Sequence, residues 1–120
     1  DPNDLAVKVP LGGGELMINV EALPRPFSPN GDGINDATFI RYDLTRLVGG
    51  APLSVRIYDL SGTLLRTLFA GEQGGGSFAA EWDGRDAAGQ VALPGIYLYH
   101  VDLDTDTKRE AKVGVVEVAY

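Results

Sequence analysis

The residues best placed to do chemistry lie between Phe27 and Leu44, in the stretch FSPNGDGINDATFIRYDL. Side-chain oxygens recur at Ser28, Asn30, Asp32 and Asp36. With Ser28 as position one, Gly33 falls at position six, and Ile34 offers its carbonyl at position seven. Alternating oxygens around a glycine turn are how a calcium loop wraps a hard cation. Two positions depart from that rule. The first ligand is Ser rather than Asp, and the twelfth is Phe39, where a bidentate Glu is expected. Two readings therefore stand side by side. In one, Ser28, Asn30, Asp32, the Ile34 carbonyl and Asp36 hold a structural calcium ion. In the other, the same Asn and Asp side chains bond to their own backbone as a cluster of turns.

Other candidates for chemistry are sparse. His100 is the only histidine, and it sits mid-strand with no second histidine or nucleophile elbow to build a triad. The carboxylate pairs Asp83/Asp86 and Asp102/Asp104 fall in a turn and at a hairpin end, settings that suit backbone bonding or solvation. The triple glycines at 12–14 and 74–76 lack the Lys-Ser/Thr and helix of a phosphate loop, so they read as joints. Tyr58, Tyr97 and Tyr99 are candidates for stacking on a sugar ring. Their alternating positions are better explained by core packing. No catalytic residue is assigned.

The elements that must position these groups are strands. After a loose Asp1–Asp4, Leu5, Val7 and Val9 alternate before Pro10. Glu15–Glu21 alternates again, with Leu16, Ile18 and Val20 inward. Thr38, Ile40, Tyr42 and Leu44 share one face of the strand that follows the oxygen-rich loop. Leu53, Val55 and Ile57 form the next buried row, and DLSGT turns the chain into a returning strand over Leu64–Phe69. Ala70–Gly76 reads as a loop. Phe78, Ala80 and the single tryptophan, Trp82, share a face. Asp83 and Asp86 are expected to hold the turn DGRDAAGQ by accepting backbone amides. In IYLYHVDL, the face carrying Tyr97, Tyr99, Val101 and Leu103 is the core side. A hairpin tip over Asp104–Lys108 leads to a valine-rich last strand, Glu110–Ala119. About eight short strands with turn signals between them, and no amphipathic helix, predict an all-β sandwich. The expected division is an N-terminal extension over 1–14, a short strand with a glycine joint, and a β-sandwich domain over 15–120.

Composition narrows the function classes. The chain has 120 residues and is 44% hydrophobic, enough for one folded domain. Its 10 basic and 17 acidic residues leave a net charge of −7. That argues against a nucleic-acid partner and against docking on anionic lipid. The absence of cysteine removes disulfides, thiolate metal sites and cysteine nucleophiles. No apolar run reaches membrane-spanning length, and the opening DPND is expected to be a mature or trimmed start.

The strings VRIYDLSGTLLRTL and GGGSFAAEWDGRDAAGQVALPGIYLYHV together resemble the immunoglobulin-like domain of the bacterial flagellar hook-capping family. That family's pattern is an IYD-x-x-G hairpin ending in Arg-Thr-Leu, then WDGRD-x-x-G, then a P-x-G-x-Y-x-Y strand. The resemblance covers roughly Ile40 to Tyr120. Upstream, FSPNGDGIND is similar to the opening of modules near the C-termini of large secreted and surface proteins, some of them like sorting domains of the type IX secretion route. The resemblance implies an immunoglobulin-like β-sandwich without catalytic activity, in an extracellular or bacterial cell-surface setting. Its partners would be other domains of a parent chain or copies of itself. It would serve as a spacer, anchoring or sorting element. A second reading is a self-assembling filament subunit that adds Leu5–Val9 to a neighbour's open sheet edge. A carbohydrate-binding module is the third.

Overall fold

The computed structural model describes residues 16–31, 33, 35–47, 49–105 and 108–119. Leu5–Val9 and Gly12–Gly14 lie outside the described residues. The described chain is all-β: β1 Met17–Leu23, β2 Thr38–Leu44, β3 Ala51–Tyr58, β4 Leu64–Gln73, β5 Gly76–Trp82, β6 Gly95–Asp104 and β7 Arg109–Val118. Every strand-to-strand ladder is antiparallel, in two sheets of order β1-β2-β5 and β4-β3-β6-β7. This is an immunoglobulin-like sandwich, with its core between the inner faces.

Alternation built most of that core. Thr38, Ile40, Tyr42 and Leu44 of β2 are buried, and so are Leu53, Val55 and Ile57 of β3. Trp82 is fully buried, and Tyr99, Val101 and Leu103 of β6 are buried in the same core. Burial of each such side chain contributes roughly 1.5–3 kcal/mol. Val116 and Val118 complete the floor, while Val113 and Val115 alternate outward. Gly114 pairs with Tyr99 across β6 and β7, and the Tyr99 ring occupies the space that a Cβ at Gly114 would need.

Two expectations fail here, each for a local reason. Leu16, Ile18 and Val20 are not the buried row of the first strand, where Met17 and Ala22 are fully covered instead. A bulge between Ile18 and Glu21 sets Asn19 and Val20 against Tyr42 alone, with Asn19 at φ 56°, so the alternation reverses partway. The Asn19 side-chain Nδ2 donates to Asp43 Oδ2 at 2.7 Å, which secures the bulge. Second, Ala70–Gly76 is not a loop. β4 continues to Gln73 because Ala70, Gly71, Glu72 and Gln73 stay in register with Ser54, Leu53, Pro52 and Ala51. Only Gly74 and Gly75 remain to carry the chain from one sheet to the other.

Candidate functional site

The oxygen-rich loop leaves β1 through Pro24 and Pro26 and is first secured at Phe27. Its amide donates to the Glu117 carbonyl at 3.0 Å, and its carbonyl accepts from the Ala119 amide at 2.9 Å. These bonds form a parallel bridge to the end of β7. The Phe27 ring is buried edge-on against Trp82, with centroids 5.4 Å apart. Beyond it the loop closes on itself. The Ser28 amide donates to the Asn35 carbonyl at 2.8 Å, and the Asn30 amide to the Ser28 carbonyl at 2.8 Å. Gly31, Gly33 and Asn35 adopt left-handed φ values of 81°, 82° and 52°, which suit glycine and asparagine.

Of the predicted calcium ligands, Ser28, Asn30 and Asp36 are described, and Asp32 and Ile34 lie outside the described residues. Asp36 is the loop's anchor. Its Oδ1 accepts the Gly31 amide at 3.0 Å, and its Oδ2 accepts the Gly33 amide at 2.7 Å. This is the self-bonding arrangement of the turn reading. Each carboxylate oxygen keeps further accepting capacity. Among the described residues, no group of three or more His, Cys, Asp or Glu side chains is placed to hold a metal ion.

A second loop, Asp83–Gln90, packs directly against the first. Asp83 Oδ1 accepts from Arg66 at 2.6 Å and from the Arg85 amide at 3.0 Å. Asp86 Oδ1 accepts the Ala88 and Gln90 amides, both at 2.9 Å. The Trp82 indole donates to the Arg85 carbonyl at 2.9 Å, so the buried ring has its partner within the same turn. Gly84 is the contact point. A Cβ there would lie 2.7 Å from both Cβ and Cγ of Pro29 and 3.4 Å from the Phe27 ring, and its φ is 81°. Pro29 therefore rests on bare backbone, and only glycine leaves room for it. Sequence reading anticipated the Asp83 and Asp86 bonds but missed this contact between distant loops. Its one trace in the sequence is the glycine inside WDGRD.

The remaining candidates are not assembled into a site. His100 faces outward, with its ring 4.4 Å from that of Tyr58. Asp102 is tied to Arg109 at 3.0 Å, and that carboxylate holds the Arg109 guanidinium above its usual range. Tyr97 and Tyr99 turn toward the core, Tyr97 edge-on to Trp82 at 5.7 Å, whereas Tyr58 lies on the opposite face of its sheet. The three tyrosines form no common platform.

A protein-family model described as the FlgD Ig-like domain matches residues 39–107, more than half of the chain. The chain belongs to the FlgD Ig-like domain family. That family is non-catalytic. The match includes the IYDLSGTLLRTL hairpin and the WDGRD turn, and it begins after the Ser28–Asp36 loop. Among solved structures, FlgD from P. aeruginosa is similar at 28% identity and a TM-score of 0.54, over 67% of this chain and 58% of that one. Dimeric latent PorU from Porphyromonas gingivalis is similar at 20% identity and a TM-score of 0.65, over 82% of this chain and 9% of that one. PorZ, described as an essential bacterial surface component of the type-IX secretion system of the same organism, is similar at 23% identity and a TM-score of 0.50. That likeness covers 85% of this chain and 12% of PorZ. At these identities PorU and PorZ speak to the fold alone. This FlgD-like chain thus spans about a tenth of PorU and PorZ, and somewhat over half of FlgD. A comparison with curated proteins gives no match.

Proposed function

We propose that this FlgD-like domain is a non-catalytic structural and interaction module of a secreted or surface-attached bacterial protein, acting as a spacer, anchoring or sorting element. The observation that carries the reading is the family match over residues 39–107, in a family without catalytic activity. The internal use of the polar groups supports it: Asp83, Asp86 and Trp82 are all bonded within their own turn. The surface location is in keeping with PorZ, a type-IX surface component that shares the fold. In this reading the domain spans 15–120, and its partners are proteins.

The sorting role is tested by fusing the chain behind a reporter in a bacterium that secretes by the type IX route. Reporter at the cell surface or in the medium is the expected result. A folded fusion retained inside the cell, like a reporter without the domain, contradicts sorting. The calcium brace over Ser28, Asn30, Asp32, Ile34 and Asp36 belongs to the same proposal. The Gly31 and Gly33 turns support it by curling the backbone around Asp36. Saturating calcium is expected to raise the melting temperature above that in chelator, and Asp32→Ala to abolish the rise. Equal melting temperatures in calcium and chelator contradict the brace.

A further inference from the structure

The outward face of sheet β4-β3-β6-β7 is ordered into rows by its register. One row runs Leu64, Tyr58, Leu98, Val115, and the next Thr67, Arg56, His100, Val113. Then come Ala70, Ser54, Asp102, Ala111; beyond them Glu72 pairs with Pro52, and Asp104 with Arg109, at the end of the face. Leu64, Val113 and Val115 are 47%, 56% and 40% exposed. The solvent side of an antiparallel sheet is normally polar, and an apolar band there marks a contact surface.

The pattern is complementary to itself. Consider a second copy related by a two-fold axis that lies parallel to the strands, between β3 and β6. The rows stay aligned, and β4 lies over the partner's β7 and β3 over its β6. Leu64 then meets the partner's Val115, and Tyr58 meets the partner's Leu98. Ala70 meets the partner's Ala111, small against small, which lets the sheets approach. Glu72 meets the partner's Arg109, which is opposite in charge and 69% exposed although its own Asp102 holds it at 3.0 Å. Arg56 falls opposite the partner's His100 but leans away from it, donating to Ser54 Oγ at 3.3 Å. That places its guanidinium toward the partner's Asp102, which faces Ser54. Every symmetric interface needs such a self-matching patch.

We propose that this face is a homotypic docking surface on which a second copy of the chain stacks about that two-fold axis. The proposal rests on the protein-interaction reading above and names the partner. The four strands, about 4.8 Å apart, and four rows, about 6.6 Å apart, span on the order of 19 by 26 Å. Roughly 500 Å² per copy, about 1,000 Å² in all, is at the weak end of specific interfaces, so the dimer is expected to dissociate on dilution.

Sedimentation velocity over a concentration series tests this, with thermal melts to confirm folding. The wild-type mass is expected to rise toward twice the monomer value. Val115→Asp should weaken association at least tenfold; if it fails to fold, the more exposed Val113→Asp carries the same test. Glu72→Arg, which sets two cations against each other, should weaken it too, and the neutral Glu72→Gln should weaken it less. A wild-type monomer at every concentration overturns the proposal. So does a dimer indifferent to Val115→Asp and Glu72→Arg. None of these results bears on the non-catalytic sorting role, which the fusion experiment tests separately.

Discussion

Two loops meet at one end of the sandwich, and both are rich in Asp and Gly, yet they are fastened differently. The Asp83–Gln90 turn is closed by side chains at both ends and roofs a buried indole: Asp83 holds its start, Asp86 its finish, and the Arg85 carbonyl takes the Trp82 proton. The Ser28–Asp36 loop is exposed at its tip and gathered by one carboxylate, Asp36. The first loop belongs to the fold. The second leans on the first through Pro29 and Gly84. Composition marks both as turns, and attachment to the core separates scaffold from adaptable surface.

The comparison can be broken first at its shared base. Trp82→Ala removes the ring that packs under both loops and is expected to cost about 3–5 kcal/mol in urea unfolding. A loss below about 1 kcal/mol would mean that the loops stand without it. Asp86→Ala strips two exposed amides of their acceptor and should cost about 1 kcal/mol, with a shift in tryptophan fluorescence as the turn over the indole loosens. Asp36→Ala also strips two exposed amides, and here too water replaces the lost bonds. It should cost less than about 1 kcal/mol and leave the fluorescence unchanged, while hydrogen exchange at Gly31 and Gly33 accelerates.

How much of this was legible in the sequence follows from the same contrast. Faces of β2, β3 and β6 were readable because burial follows strict alternation there. In β1 the bulge at Asn19 breaks that rule, and no residue type announces it. In β4, Ala70–Gln73 has the composition of a loop, but the ladder to Ala51–Ser54 outweighs local propensity. The Asp83 and Asp86 bonds were readable because they span only a few residues. The Pro29–Gly84 contact joins segments far apart in the chain and emerges only once the sheets are assembled. The rows on the outer face likewise depend on register between four strands.

The smallest expected effect is of acid. Asp59 is held below the usual carboxylate range by the Ser61 hydroxyl and the Thr63 amide, and Asp43 by the Asn19 amide and then the Ser77 hydroxyl. A lowered folded-state value contributes stability that is complete above the unfolded value, about pH 4, and is lost as pH falls through the folded one. Both groups are partly exposed, so water screens these bonds. The melting temperature should therefore stay nearly level with respect to these groups from pH 6 to about 4 and decline below that. A decline that begins well above pH 5 would point to other groups.

The most direct test of the loop-on-loop account is a double-mutant cycle in urea on wild type, Pro29→Gly, Gly84→Ala and the pair. Gly84→Ala alone should cost about 2–4 kcal/mol, from the left-handed φ and from overlap with the Pro29 ring. Removing the ring relieves the overlap, so the double variant should be more stable than the sum of the single losses predicts, by about 1 kcal/mol or more. Additivity within about 0.5 kcal/mol would show that the two loops do not bear on each other and would contradict the account.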